Sequence, residues 1–171
     1  EPAAVFITLT RQGRLRGYNT DALGFRVSLE QIDAGRWARP DADAYALILG
    51  TGGASRAVAY VLGQLAIPYR FVSRQPVGDN QISYAALRQL DFQKIRWIFN
   101  ASPLGTFPEV ENCPDLPYEQ LHPAQLVYDL VYNPAETLLL QRAKAQGATT
   151  INGMDMLYLQ AKAAWAIWQS E

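Results

Sequence analysis

The feature that most restricts this chain is a glycine-rich turn, Leu49-Gly50-Thr51-Gly52-Gly53-Ala54-Ser55-Arg56-Ala57. An apolar run, Tyr45 to Leu49, precedes it, and Ala54 to Leu65 has the period and alanine content of a buried helix. In a strand-turn-helix context each glycine has a physical task. Gly50 permits the tight turn, and Gly52 removes the Cβ that would hold a pyrophosphate off the backbone. The helix N-terminus supplies amide donors and dipole to an anion. The third glycine of the G-x-G-x-x-G pattern would fall at Ser55 and is absent, but Ala54, Ala57 and Ala59 are small enough for close helix-strand packing. Gly50, Thr51, Gly52, Gly53 and Ala54 are therefore candidate cofactor-binding residues. A purely structural turn is the alternative.

The rest of the chain repeats the alternation. Val5 to Thr10 and Leu15 to Tyr18 predict two short strands about the turn Arg11-Gln12-Gly13. Asn19 or Thr20 is placed to cap a helix from about Asp21 to Asp33 that stops at Gly35, and the polar stretch Arg36 to Ala44, with Pro40, predicts a linker. After the glycine turn come a strand at Tyr69 to Ser73, a helix at Ser83 to Leu90 and a strand at Ile95 to Phe99. A long loop with Pro103, Pro108, Pro114 and Pro117 leads to a strand at Leu126 to Val131. A helix at Ala135 to Gln146, a short strand near Thr149 and a helix from about Met154 to Gln169 complete the chain. Continuous apolar strands alternating with helices require a parallel sheet covered on both faces. The expected fold is α/β, a doubly wound Rossmann-like parallel sheet with helices on both faces. Residues 1–35 are expected to be the end of a preceding domain and a connecting helix, and 36–171 the dinucleotide-binding domain.

Composition narrows the function classes. The 171 residues are 49% hydrophobic and 18% charged, enough apolar material for a core. Fifteen basic against sixteen acidic residues, with net charge -1 and no basic tract, exclude nucleic-acid binding by backbone neutralisation. The longest apolar run, Ala163 to Trp168, falls far short of the roughly 20 residues of a membrane helix. The single cysteine, Cys113, excludes an internal disulfide and a cysteine-cluster metal site and points to a reducing, cytoplasmic compartment. The chain opens on Glu1 rather than Met, so we expect a piece of something longer.

The strand after the glycine turn selects the cofactor. A site for NAD places a carboxylate at its end for the ribose 2'-hydroxyl. Here the strand ends Phe71-Val72-Ser73-Arg74-Gln75 without one. A hydroxyl followed by a guanidinium suits a 2'-phosphate, since arginine offers planar bidentate donors. Ser73 and Arg74 therefore predict NADP, against a solvated surface arginine as the alternative.

Ordered segments now resemble one family. They are Gly17-Tyr18-Asn19-Thr20-Asp21 with Gly24-Phe25, Gly50 to Ala57, Asn100-Ala101-Ser102-Pro103-Leu104-Gly105, and Tyr128-Asp129-Leu130-Val131-Tyr132-Asn133-Pro134 followed by Glu136-Thr137. With the tail Asn152-Gly153-Met154-Asp155-Met156-Leu157-Tyr158-Leu159-Gln160-Ala161, the chain resembles shikimate dehydrogenase over essentially its whole length. The resemblance implies an NADP-dependent oxidoreductase of aromatic amino acid biosynthesis that interconverts 3-dehydroshikimate and shikimate. It implies that Asp21 is the carboxylate of a catalytic Lys-Asp pair and that Tyr132 and Gln160 face the substrate. It also implies that Leu130 and Gly153 line the nicotinamide. The segment Gln75-Pro76-Val77-Gly78 lacks the second arginine that some members carry. The N-terminal substrate domain of the family, with its serine-rich motif and catalytic lysine, has no counterpart here. Lys94, Lys144 and Lys162 lie in no segment like the lysine motif. The expected state is thus a cofactor-binding portion, inactive by itself. A non-catalytic NADP-binding module, or a quinate/shikimate dehydrogenase, remains an alternative.

Other conspicuous residues have plain readings. Asp21 also suits the first turn of a helix. His122 reads as a solvated loop residue, Cys113 as an unactivated thiol, and Glu109, Glu111 and Asp115 as a solvated face rather than a metal site. Trp165 and Trp168 read as core or interdomain packing. No G-x-S-x-G elbow is present for a hydrolase.

Overall fold

The computed structural model describes residues 6–9, 13–32 and 43–170. Two strands, β1 (Phe6–Leu9) and β2 (Leu15–Tyr18), form an antiparallel pair. Helix α1 (Thr20–Gln31) follows directly, because the Asn19 side chain accepts a hydrogen bond from the Ala22 amide at 2.9 Å. The predicted end of this helix at Asp33 and Gly35, most of the predicted linker and the expected domain division at 35/36 fall outside the described residues.

The main sheet is built from β3 (Tyr45–Leu49), β4 (Tyr69–Ser73), β5 (Gln81–Ser83), β6 (Ile95–Asn100), β7 (Leu126–Asp129) and β8 (Thr149–Ile151). Their order is β5-β4-β3-β6-β7-β8, every neighbouring pair parallel. Helix α2 (Gly53–Gln64) joins β3 to β4, α3 (Leu138–Ala145) joins β7 to β8, and α4 (Met154–Ser170) closes the described chain. This is the doubly wound Rossmann-like architecture expected from the alternation.

The strand period explains why both faces are covered. Ala46 and Ile48, Trp97 and Phe99, and Leu126 and Tyr128 bury into one layer, beside residues of α1, α2 and α4. Their alternates Leu47 and Leu49, Ile98, and Val127 bury into the other, beside α3, Leu87 and Phe92. Phe25 of α1 meets the edges of Phe99 and Tyr128 at 5.3 and 5.5 Å between centroids. The Tyr128 and Ser28 hydroxyls share a buried hydrogen bond of 2.9 Å.

Three elements depart from the sequence expectation. The predicted helix at Ser83 to Leu90 is a 3-10 helix over Tyr84–Gln89, preceded by the short strand β5. Three residues carry too little periodicity to announce a strand, and it forms because β4 offers a ladder. The strand expected to reach Val131 stops at Asp129, whose own carboxylate accepts from the Val131 amide at 3.0 Å. The helix expected from Ala135 starts at Leu138, with the Thr137 hydroxyl accepting from the Leu140 amide.

Candidate functional site

The strand order reverses between β3 and β6, and ligands of such sheets bind outside the carboxyl ends of the strands at that point. Here β3 is followed by Gly50, whose φ of +106° is a conformation that side chains rarely adopt. Its amide donates to the Val72 carbonyl at 2.9 Å, while the Ala101 amide donates to the Leu49 carbonyl at 3.0 Å. A Cβ at position 50 would stand 3.2 Å from the Ala101 carbonyl oxygen and 3.3 Å from Ser55 Oγ. Glycine is thus required twice over, by dihedral and by proximity.

Gly52 caps α2 without a side-chain hydrogen bond, and no acidic residue occupies the first turn. A Cβ on Gly52 or Gly53 would meet nothing within 4 Å. The space beside these glycines is therefore open, and the first amides of a helix have no intrahelical partner, as an anion cradle requires. Ser55, standing where the third glycine was expected, is fully buried with a hydroxyl that has no hydrogen-bond partner. The donor set fits a dinucleotide pyrophosphate.

In front of this loop lies a cleft of about 970 Å³. Gly50, Thr51 and Gly52 line it, and Ser73, Arg74 and Gln75 come from the end of β4. Ala101 to Leu104 follow β6, and Tyr84, Cys113 and Asp115 also line it. The Ser73 hydroxyl accepts from the Gln75 amide at 3.1 Å, which fixes the turn that carries Arg74. Among the described residues no carboxylate pairs with Arg74. Asp115 is instead bound by Arg88 at 3.2 Å. Tyr84, Cys113 and Asp115 were not singled out as cleft residues by sequence reasoning. They reach the cleft from a 3-10 helix and from the proline-rich loop, and no local pattern marks them. The loop is pinned by the Tyr118 hydroxyl, which donates to the Pro114 carbonyl at 2.7 Å.

A second group gathers at the ends of β6 and β7. Asn100 donates to Asp129 Oδ1 at 2.8 Å, Thr137 to Oδ2 at 2.6 Å, and the Ser102 hydroxyl to Asn100 Oδ1 at 2.6 Å. Asp129 is wholly buried, and burial raises its carboxyl pKa against the opposing pull of hydrogen bonds from Thr137, Val131 and Asn100. The network fixes Leu130, whose amide donates to the Asn100 carbonyl, beside Gly153, whose amide donates to the Val131 carbonyl. A Cβ on Gly153 would overlap the Leu130 carbonyl. Asn100 and Asp129 stand in the segments that carried the family resemblance, and that was the signal available for them.

The third group lies on the seam between α1 and α4. A Cβ on Gly24 would stand 2.8 Å from Gln160 Cβ and the Met156 carbonyl oxygen, so the helices touch along their backbones. Thr20 Oγ1 donates to Gln160 Oε1 at 3.5 Å, bringing Gln160 to the turn of α1 that holds Asp21. Asp21 is partly buried, and burial raises its pKa. Tyr132, 44% exposed, follows the Val131 that is tied to the start of α4. The structure thus gathers Gly50, Thr51, Gly52, Ser73 and Arg74 in one cleft wall, with Gly53 and Ala54 just inside α2. Leu130, Gly153 and Tyr132 group at β7, and Asp21 and Gln160 at the helix seam.

Lys94 pairs with Asp43 at 3.6 Å and Lys144 with Glu136 at 3.2 Å, so both are engaged on the surface. His122 is not the solvated residue expected: it is half-buried, with Nε2 3.2 Å from the Phe92 carbonyl. Trp165 and Trp168 are not core residues of the described fold, being 62% and 55% exposed. Among the described residues no cluster of metal-ligating side chains occurs, and no helix is long and apolar enough to cross a membrane.

No family model matches the chain. Among curated relatives, the NADP(+)-dependent shikimate dehydrogenase of Methanocaldococcus jannaschii is 35% identical over 170 aligned residues, covering 91% of this chain and 58% of the relative. That of Moorella thermoacetica is 36% identical, covering 94% of this chain and 59% of its own length. A shikimate dehydrogenase crystal structure in complex with NADP+ superimposes with a TM-score of 0.74 at 30% identity, over 96% of this chain and 60% of that one. The Thermus thermophilus shikimate 5-dehydrogenase, solved with NADP(H) and shikimate, gives 0.73 at 32% identity, over 96% and 61%. By sequence and by structure, this chain is similar to the shikimate dehydrogenases, and it spans about three fifths of the length of the relatives it matches.

Proposed function

We propose that this chain is the cofactor-binding portion of an NADP-dependent shikimate dehydrogenase, interconverting 3-dehydroshikimate and shikimate once a substrate-binding portion completes the site. The observation that carries the reading is the cleft at the reversal of strand order. It has open space before Gly52 and Gly53 and an arginine, not a carboxylate, at the end of β4. In this reading the loop Gly50 to Ala54 holds the pyrophosphate through the amides that open α2, and Ser73 with Arg74 holds the 2'-phosphate. Leu130 and Gly153 line the nicotinamide, Tyr132 and Gln160 hold substrate hydroxyls, and the cofactor supplies the hydride chemistry.

The alkoxide that forms from the ketone needs a proton within hydrogen-bond reach. Asp21 orients and tunes a lysine ammonium that the substrate-binding portion contributes. Burial raises the Asp21 pKa, and an ammonium beside it would lower it again. Helix α4 offers the docking face. Met154, Tyr158, Trp165 and Trp168 are 47%, 65%, 62% and 55% exposed and fall within one arc of the helix at about 100° per residue. An NADP-linked reaction and one free thiol, Cys113, fit a cytoplasmic setting.

Titration calorimetry of the 171-residue chain should show NADP bound at least about tenfold tighter than NAD, the scale of one hydrogen bond to a charged group. Equal affinities would remove the NADP assignment. With shikimate and NADP the same chain should produce no NADPH above background. Clear turnover would show that the proton moves without the second portion, and the two-part mechanism would be wrong.

A further inference from the structure

Resting on the NADP reading above, we propose that Tyr84 is a specificity-determining residue of the cofactor cleft, its phenol hydroxyl donating to the 2'-phosphate beside Arg74. The argument begins with register. Ser73 pairs with Ser83 across the parallel ladder of β4 and β5, so the next residues, Arg74 and Tyr84, leave adjacent strands at the same level. Both line the same cleft. The sharp turn after Ser83, whose hydroxyl accepts from the Ala86 amide at 3.2 Å, holds Tyr84 at the strand end.

A phosphate monoester presents three oxygens that each accept more than one hydrogen bond, so the Arg74 fork and the Ser73 hydroxyl leave acceptor sites open. The residues after Arg74 are Gln75, Pro76, Val77 and Gly78, and none is a cation. The neighbouring strand offers a further donor for these sites. Burial raises the Tyr84 pKa above its ordinary value, with Arg74 lowering and Asp115 raising it, so the phenol keeps its proton at neutral pH and acts as a donor. Asp115, a carboxylate that also lines the cleft, is bound by Arg88 at 3.2 Å, which offsets part of its charge. Among the described residues, β5, which carries Tyr84 to this place, is the strand the sequence did not announce.

The test is calorimetric titration of the unaltered chain and of Tyr84→Phe with NADP, NAD, adenosine 2',5'-bisphosphate and AMP, with a melting curve for each protein. Tyr84→Phe keeps the ring and its packing, so the melting curve should superimpose on that of the unaltered chain. The expected result is a loss of about tenfold for NADP and for the bisphosphate, with NAD and AMP unchanged within twofold. Unchanged NADP affinity in a chain that prefers NADP overturns the role of Tyr84 and leaves the NADP reading standing. Equal weakening of all four ligands also overturns it, since Tyr84 would then serve the adenosine rather than the phosphate. A chain that binds NADP and NAD alike overturns both. If Tyr84→Phe melts early, Tyr84→Gln, which retains a donor, should hold NADP preference above that of Tyr84→Leu, and equality of the two overturns the proposal.

Discussion

Two regions of this molecule use glycine for opposite purposes. At the phosphate loop, Gly52 and Gly53 face open space, and a Cβ there would touch nothing. At the seams around β7 and α4, Gly153 is pressed on the Leu130 backbone and Gly24 on the backbone and side chain of α4. The first pair leaves room for a ligand, while the second lets elements of the protein approach each other. Sequence alone makes these glycines look equivalent. The contrast teaches that a substitution at the loop should cost binding and spare the fold, while one at a seam should cost the fold itself.

Gly153→Ala gives the largest expected effect. The new methyl overlaps a backbone that cannot move without disturbing the Asp129 network, so unfolding free energy should drop by about 3 kcal/mol or more. Chemical denaturation measures this, and a loss below about 1 kcal/mol would mean that the seam yields. Gly52→Val should act the other way. Its φ of -79° and ψ of -167° suit a branched residue, so the weakened cap costs less than about 1 kcal/mol. Nucleotide affinity, by contrast, should fall by at least about 100-fold, or ~2.7 kcal/mol. Retained binding by calorimetry would place the nucleotide elsewhere and end the comparison.

Arg74→Ala sharpens the open side. NADP binding should weaken by about 1.5 to 3 kcal/mol, the scale of hydrogen bonds to a charged group, with NAD nearly unchanged. Equal losses would show that Arg74 does not read the 2'-phosphate.

Asp21→Asn gives the smallest effect and probes the helix seam. Burial raises the carboxyl pKa in the folded chain, so the folded form holds its proton more tightly than the unfolded one. Stability must then fall as pH rises from the ordinary carboxylate range through the raised value and level off above it. Asn carries no charge and escapes this penalty, so melting near pH 7 should move up, with the gain vanishing in acid. A pH-independent difference would remove charge burial as its cause.

Much of the scaffold was legible because its signals are local. The strands Tyr45–Leu49 and Tyr69–Ser73 match the expected strands residue for residue, and the first is apolar throughout, as a strand buried on both faces must be. The turn at Gly50 and the cap at Asn19 involve groups only a few residues apart. The missed parts depend on partners far along the chain. Strand β5 exists because β4 accepts it, and His122 is held by a carbonyl 30 residues away. Trp165 and Trp168 look like core residues by type, yet they lie on the outer arc of α4, a position set by the face that α4 turns to α1.

The sequence by itself determined the parallel alternating fold, the glycine turn at the end of β3 and the arginine at the end of β4. These follow from backbone sterics and from the period of apolar residues, which act within one element. Tertiary structure alone decided which side chains share a wall. It placed Tyr84 beside Arg74 through the register of the β4-β5 ladder, brought Asp115 across from the proline-rich loop, and set Gln160 against Thr20, 140 residues away. Such meetings are fixed by how layers stack and by which backbones have no Cβ between them, and that information appears only once the whole core has closed.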